Sequence, residues 1–272
     1  MTITMTREEF EYYVPSAVMP DDVLFERISE QLGEGESAVK SLLGGELYDA
    51  REGDRTLLHL CNRMACLTAY KLAIPHLDLV LTDNGFGVVS NQNVAPASAD
   101  RVNRLIQQVQ QALDDTIDEL LDYLRGHAKW MDTYTARGVF RSLVWNGRQQ
   151  LVYFGVPNGH RSTLDELRPK ISAAEAKVKH CISPEFYDEL CDAVRMRTAT
   201  AEQNAAIHKI LMTVGADVSG DSSSAHFHVK QLVAWLDGNI RTFPTYANST
   251  AYAANNFEPY KNEKDDPCYF FG

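Results

Sequence analysis

The strongest periodic signal in the chain runs from Ala99 to Leu124, where Val102, Leu105, Ile106, Val109, Ala112, Leu113, Ile117, Leu120, Leu121 and Leu124 recur at steps of three and four. That spacing lines one stripe of an α-helix and predicts a long amphipathic helix, with Ser98 as its cap and Asp100 in its first turn. From Arg55 to Ile74 a second stripe combines Leu57, Leu58, Cys61, Met64, Ala65, Thr68 and Leu72, while Leu60, Leu67 and Tyr70 add apolar groups elsewhere on the wheel. This predicts a helix buried on several sides and ended by Pro75. Between the two helices, β-branched and aromatic runs meet at Asp83-Asn84-Gly85, whose Asn and Gly suit the positive φ angles of a tight turn. A hairpin over about 77–90 is expected, lying against the flanking helices because an isolated ribbon is only marginally stable.

Weaker patterns fill the rest. Residues 7–13 predict a short helix ended by Pro15; Pro20-Asp21-Asp22 opens another, carried by Val23, Leu24, Ile28 and Leu32 as far as Gly33. Ala38 to Tyr48 makes a third, weakened by Gly44-Gly45. Residues 139–156 fit either a helix or a second hairpin. Helices follow over 163–181, started near Ser162, then over 184–197 and 199–214, the last entered through Thr198 or Thr200. A final helix spans Phe227 to Ile240. Residues 246–272 carry no apolar period and are expected to be extended, with Tyr269, Phe270 and Phe271 too apolar to leave in water. The expected fold is mainly α: a multi-helix bundle with one inserted β-hairpin and an extended C-terminal tail. Residues 1–245 form the helical domain, divisible into halves over about 20–150 and 160–245, and 246–272 form the tail.

Composition narrows the class without naming it. With 272 residues, 44% hydrophobic and 23% charged, the chain has enough apolar mass to bury a core. A net charge of −11 argues against general electrostatic affinity for nucleic acid or anionic membrane. Cys61, Cys66, Cys181, Cys191 and Cys268 are odd in number and mostly far apart, which favours reduced thiols and a cytoplasmic setting. The first residues lack the basic start and apolar core of a secretory signal, and no apolar run is long enough to span a bilayer.

The sharpest chemical pattern is Asp114-Asp115-Thr116-Ile117-Asp118. Carboxylates at i, i+1 and i+4 of a helix can converge on Mg²⁺ and through it hold a diphosphate, and the five residues resemble the aspartate-rich motif of prenyl-diphosphate and terpene synthases. No second such motif is evident, and the apolar stripe through Leu113, Ile117, Leu120 and Leu121 places Asp114, Asp115, Asp118, Glu119 and Asp122 on the opposite, solvated face. His226 and His228 have metal-ligand chemistry but no cysteine or acid at metal-site spacing, so packing or capping is the expectation. Cys61 and Cys66 fall on different faces of their helix and read as core. Gly85-Phe86-Gly87 is followed by a strand rather than by the helix a phosphate loop needs. No catalytic residue, metal or cofactor is expected.

The run Ile74-Pro75-His76-Leu77-Asp78-Leu79-Val80-Leu81-Thr82, continuing through Gly85-Phe86-Gly87-Val88-Val89-Ser90-Asn91-Gln92-Asn93-Val94-Ala95-Pro96-Ala97-Ser98 to Arg101-Val102, resembles an uncharacterised family encoded in prophage-like regions of gut Bacteroidales, as does the terminal Tyr269-Phe270-Phe271-Gly272. The resemblance implies a helical, acidic, non-enzymatic head–tail connector or adaptor subunit. It would self-associate, bind portal and tail components, and be carried in the host cytoplasm or a virion, with no specific nucleic-acid binding and no membrane. The expected docking elements are the hairpin loop (Asp83, Asn84, Phe86), the loop with Asn91, Asn93 and Pro96, and Tyr269, Phe270 and Phe271.

Overall fold

The computed structural model describes residues 3–19, 22–82, 85–88, 98–144 and 147–257, the side chains of 78–82 and 85–88 excepted. The protein is a multi-helix, mainly α structure that divides into two compact units. The first comprises Met1–Val139 with Asn146–Arg148 and His160–Ser162; the second comprises Phe140–Trp145, Gln149–Gly159 and Thr163–Gly272.

In the first unit, α1 (Arg7–Tyr13) opens on a capping box in which the Thr6 hydroxyl accepts from the Glu9 amide and the Glu9 carboxylate accepts from the Thr6 amide. Next come α2 (Asp22–Ser29), α3 (Leu32–Leu43), α4 (Gly45–Ala50) and the long α5 (Arg55–Asp78). The unit is built around α5, which packs on α1, α2, α3 and α6 (Ala99–Leu124). Its composition explains why. Leu57, Leu60, Cys61, Ala65, Cys66, Ala69 and Ala73 are all buried, so apolar groups cover several sides of one rod. On α6 the expected stripe is buried at Val109, Leu113, Leu120, Leu121 and Leu124. Short helices α7 (Ala128–Met131) and α8 (Tyr134–Val139) follow, and the buried Trp130 donates its indole N–H to the Leu42 carbonyl at 2.9 Å.

Several boundaries differ from the sequence expectation. Pro75 does not end α5, which continues to Asp78. Gly33 does not end a helix either but sits inside α3, and the chain breaks instead at Gly44, whose φ of 77° is in the left-handed region. Ser98 occupies the N-cap of α6 without a side-chain cap hydrogen bond. After α5, β1 (Leu79–Thr82) and β2 (Gly85–Val88) pair antiparallel, with Leu79 opposite Val88 and Leu81 opposite Phe86.

Gly35 marks the closest approach of α3 to α5, since a Cβ there would lie 2.3 Å from the Ala65 carbonyl oxygen. That oxygen is backbone and cannot step aside. Gly35→Ala is therefore expected to destabilise the unit by about 2–3 kcal/mol in urea unfolding. Gly33→Ala, at a position with nothing within 4 Å of the added methyl, should cost nothing.

The second unit contains α9 (from Arg161–Ile182), α10 (Pro184–Met196), α11 (Ala201–Val218), α12 (Ser222–Gly238), α13 (Pro244–Ala247) and α14 (Thr250–Asn255). Thr200 caps α11 in a capping box with Gln203. Helix α12 begins at Ser222, before the expected Phe227, because Asp221 caps it through the Ser224 amide at 3.0 Å. The described residues of 139–156 form neither a long helix nor a second hairpin: α8 ends at Val139 and a 3-10 helix covers Arg148–Phe154.

The expected extended tail does not begin at 246. Tyr246 is fully buried, its ring 6.0 Å from Phe186 and 5.5 Å from Tyr252, and Ser249 caps α14 through the Tyr252 amide. Two aromatics six residues apart anchor these turns, which are too short to show a period.

Candidate functional site

The carboxylates of α6 form a charged cluster in the first unit, and they are not uniformly solvated as the apolar stripe implied. Asp115, Glu119 and Asp122 are exposed, but Asp114 is 0% exposed. Its oxygens accept from Gln110 Nε2 at 2.7 Å and from the Arg161 backbone N–H at 3.0 Å, and lie 3.2 Å from His160 Nδ1. Asp118 pairs with the Arg161 guanidinium and lies 3.6 Å from Arg148 Nε. Asp115 pairs with the other end of Arg148. Burial pushes the Asp118 carboxyl above its ordinary range, against the pull of the Arg161 charge.

The i, i+1, i+4 spacing does make the three aspartates converge, but on cations already present. Two guanidinium groups, an imidazole and a backbone N–H occupy the lone pairs that Mg²⁺ would need, and an incoming divalent ion would meet Arg148 and Arg161 at short range. Chemically the arrangement is a joint of ion pairs and hydrogen bonds that fastens residues 147–148 and 160–162 to α6.

A second buried polar site lies in the other unit. Glu175 on α9, 6% exposed, accepts from Ser142 Oγ at 2.6 Å and from the Tyr187 hydroxyl, which itself accepts from the Leu143 amide at 3.3 Å. The Val144 amide donates to Ser142 Oγ at 3.0 Å, so one carboxylate organises the segment from Ser142 to Val144. Burial raises the Glu175 carboxyl, while the hydrogen bonds from Ser142 and Tyr187 oppose the shift. Tyr187 is held well above its ordinary value by its own burial and by the Glu175 charge.

The other candidates separate. His226 and His228 both lie on α12, where a two-residue step turns about 200° and keeps them off a common face. Cys61 and Cys66 are buried thiols pushed up to about 12 by desolvation. Among the described residues no group of three His, Cys, Asp or Glu side chains is arranged to hold a metal ion. A cavity of about 200 Å³ in the first unit is lined by Leu43, Gly44, Leu47, Ala50, Trp130 and Thr133, with Lys129 and Glu46 paired at 2.7 Å beside it. Of the expected docking residues, Phe86 stands in β2 opposite Leu81. Asp83, Asn84, Asn91, Asn93, Pro96, Tyr269, Phe270 and Phe271 lie outside the described residues, as do Pro20, Asp21 and Cys268.

Sequence reasoning missed Arg148, His160, Arg161, Ser142 and Glu175. Isolated charges in irregular segments carry no periodic signal, and the carboxylate of Glu175 sits in a helix whose other acids are ordinary.

Residues 21–138 match the model of a family described as a family of unknown function (DUF6712). The matched stretch runs from the residue before α2 to Gly138 in α8 and lies within the first unit. Comparison with curated proteins and with solved structures gives no match. No helix among the described residues is long and apolar enough to cross a membrane.

Proposed function

We propose that this chain is a non-enzymatic structural subunit, a head–tail connector or adaptor of a prophage-like particle that acts by associating with copies of itself and with portal and tail components. The observation that carries the non-enzymatic part is the commitment of Asp114, Asp115 and Asp118 to Arg148, His160 and Arg161. The motif that suggested diphosphate chemistry is thereby accounted for as a joint. Large apolar side chains stand in water on both units, among them Tyr134 at 92% and Phe257 at 75% exposure, and a subunit with neighbours to cover them has a use for such groups. Asp83, Asn84 and Phe86, the residues Asn91, Asn93 and Pro96, and Tyr269, Phe270 and Phe271 are the contact residues in this proposal.

Size-exclusion chromatography with light scattering on the full chain and on a chain lacking residues 258–272 tests it. This truncation spares the buried Tyr246. The expected result is a concentration-dependent oligomer that shifts toward monomer on truncation. A monomer at every concentration, unchanged by truncation, would remove the self-association. Titration with Mg²⁺ and an isoprenoid diphosphate should give no heat; binding abolished by Asp115→Ala would restore the enzyme reading.

A further inference from the structure

A crevice of about 160 Å³ in the second unit is lined by His208, Lys209 and Met212 of α11 and by His228, Gln231 and Leu232 of α12. Four of these six side chains bear nitrogen and none is a carboxylate, on a chain whose net charge is −11. Lys209 makes no ion pair among the described residues, in contrast to Lys177 of α9, which pairs with Asp217 at 2.7 Å.

Two of the groups are held in place. His208 Nδ1 lies 3.1 Å from the Tyr153 hydroxyl, which fixes the ring and leaves Nε2 as its other polar atom. Lys209 Nζ stands 5.5 Å from the centre of the Trp235 ring, which holds the ammonium near α12. Leu232 is buried and makes the apolar floor. Asp221, the cap of α12, has its carboxyl lowered chiefly by hydrogen bonds from Ser224 and to a smaller extent by the charge of His228.

We propose that this crevice binds a phosphate group, free or carried on a nucleic-acid backbone. A phosphate presents acceptors and negative charge, and Lys209, Gln231 and the two imidazoles present N–H donors, with positive charge on Lys209. Size agrees. The volume corresponds to about five waters, enough for a tetrahedral oxyanion with part of its shell and too small for a drug-sized organic ligand. A divalent metal ion would suit the imidazoles but would be repelled by the Lys209 ammonium. The inference goes beyond the assembly reading and does not rest on it.

The test is an NMR titration of the histidine ring protons of the full chain with inorganic phosphate, with a short oligothymidylate and with zinc chloride, all at constant ionic strength. Phosphate is expected to move the His208 and His228 signals together and saturably, and Lys209→Gln should weaken the response roughly fivefold. Saturation by the oligonucleotide at lower concentration identifies a backbone phosphate as the source; saturation by phosphate only identifies the free anion. Unmoved signals, a response to zinc without one to phosphate, or an undiminished response in Lys209→Gln/His228→Gln would each overturn the assignment, the last by showing an adventitious ion only.

Discussion

Asp114→Ala is expected to lower the stability of the first unit by about 3 kcal/mol. The substitution removes the acceptor that serves Gln110 Nε2, the Arg161 amide and the His160 ring, and it leaves two arginines facing one fewer carboxylate in a partly dry setting. Asp114→Asn retains an acceptor and should cost about 1 kcal/mol. Asp122→Ala, on the exposed side of the same helix, should cost less than about 0.5 kcal/mol. Urea unfolding followed by circular dichroism ranks the three. If Asp114→Ala and Asp122→Ala gave the same midpoint, the cluster would not be a joint, and its carboxylates would be free for another role.

Replacing Glu175 should separate two effects that its burial combines. Glu175→Ala strands the hydroxyls of Ser142 and Tyr187 and opens a void, and is expected to cost about 3 kcal/mol. Glu175→Gln keeps an acceptor for both hydroxyls and removes the charge. Burial raises this carboxyl above its ordinary 4.5, so the folded chain binds the proton more tightly than the unfolded chain does. Its stabilising contribution is therefore fully present below the unfolded value and is lost as pH rises through the folded value. The Gln variant resembles the protonated form throughout. The stability of Glu175→Gln relative to the native chain should consequently rise as pH increases from about 4.5 toward neutrality. A relative stability that fell over that range would mean that Lys179 and Arg141, the cations acting on this carboxylate, outweigh its desolvation.

Much of the helical framework was legible because its signals are local. The period of α6 located that helix at Ala99–Leu124, and the apolar groups around α5 marked it as the rod on which its neighbours pack. The sequence narrowed the entry of α11 to Thr198 or Thr200, and Thr200 is its cap. The site was less legible. The sequence placed Asp114, Asp115 and Asp118 on the polar side of a helix but held no signal for what would cover that side. Their partners Arg148, His160 and Arg161 stand 30 to 47 positions away, in segments without regular hydrophobic spacing. Pro75 misled for a related reason: its missing N–H is a local cost, whereas α5 as a whole is held by packing on α3 and α6.

By itself, then, the sequence determined where the long helices lie and which stripe of α6 is apolar, because side-chain periodicity and capping act over three or four neighbouring residues. Only the tertiary structure decided that one of three adjacent aspartates is buried and bound, that Glu175 organises a distant segment, and that His208 and His228 share a crevice. These outcomes depend on which remote groups arrive at a carboxylate or an imidazole, and the free energy of a charge is set by the partners and the water around it.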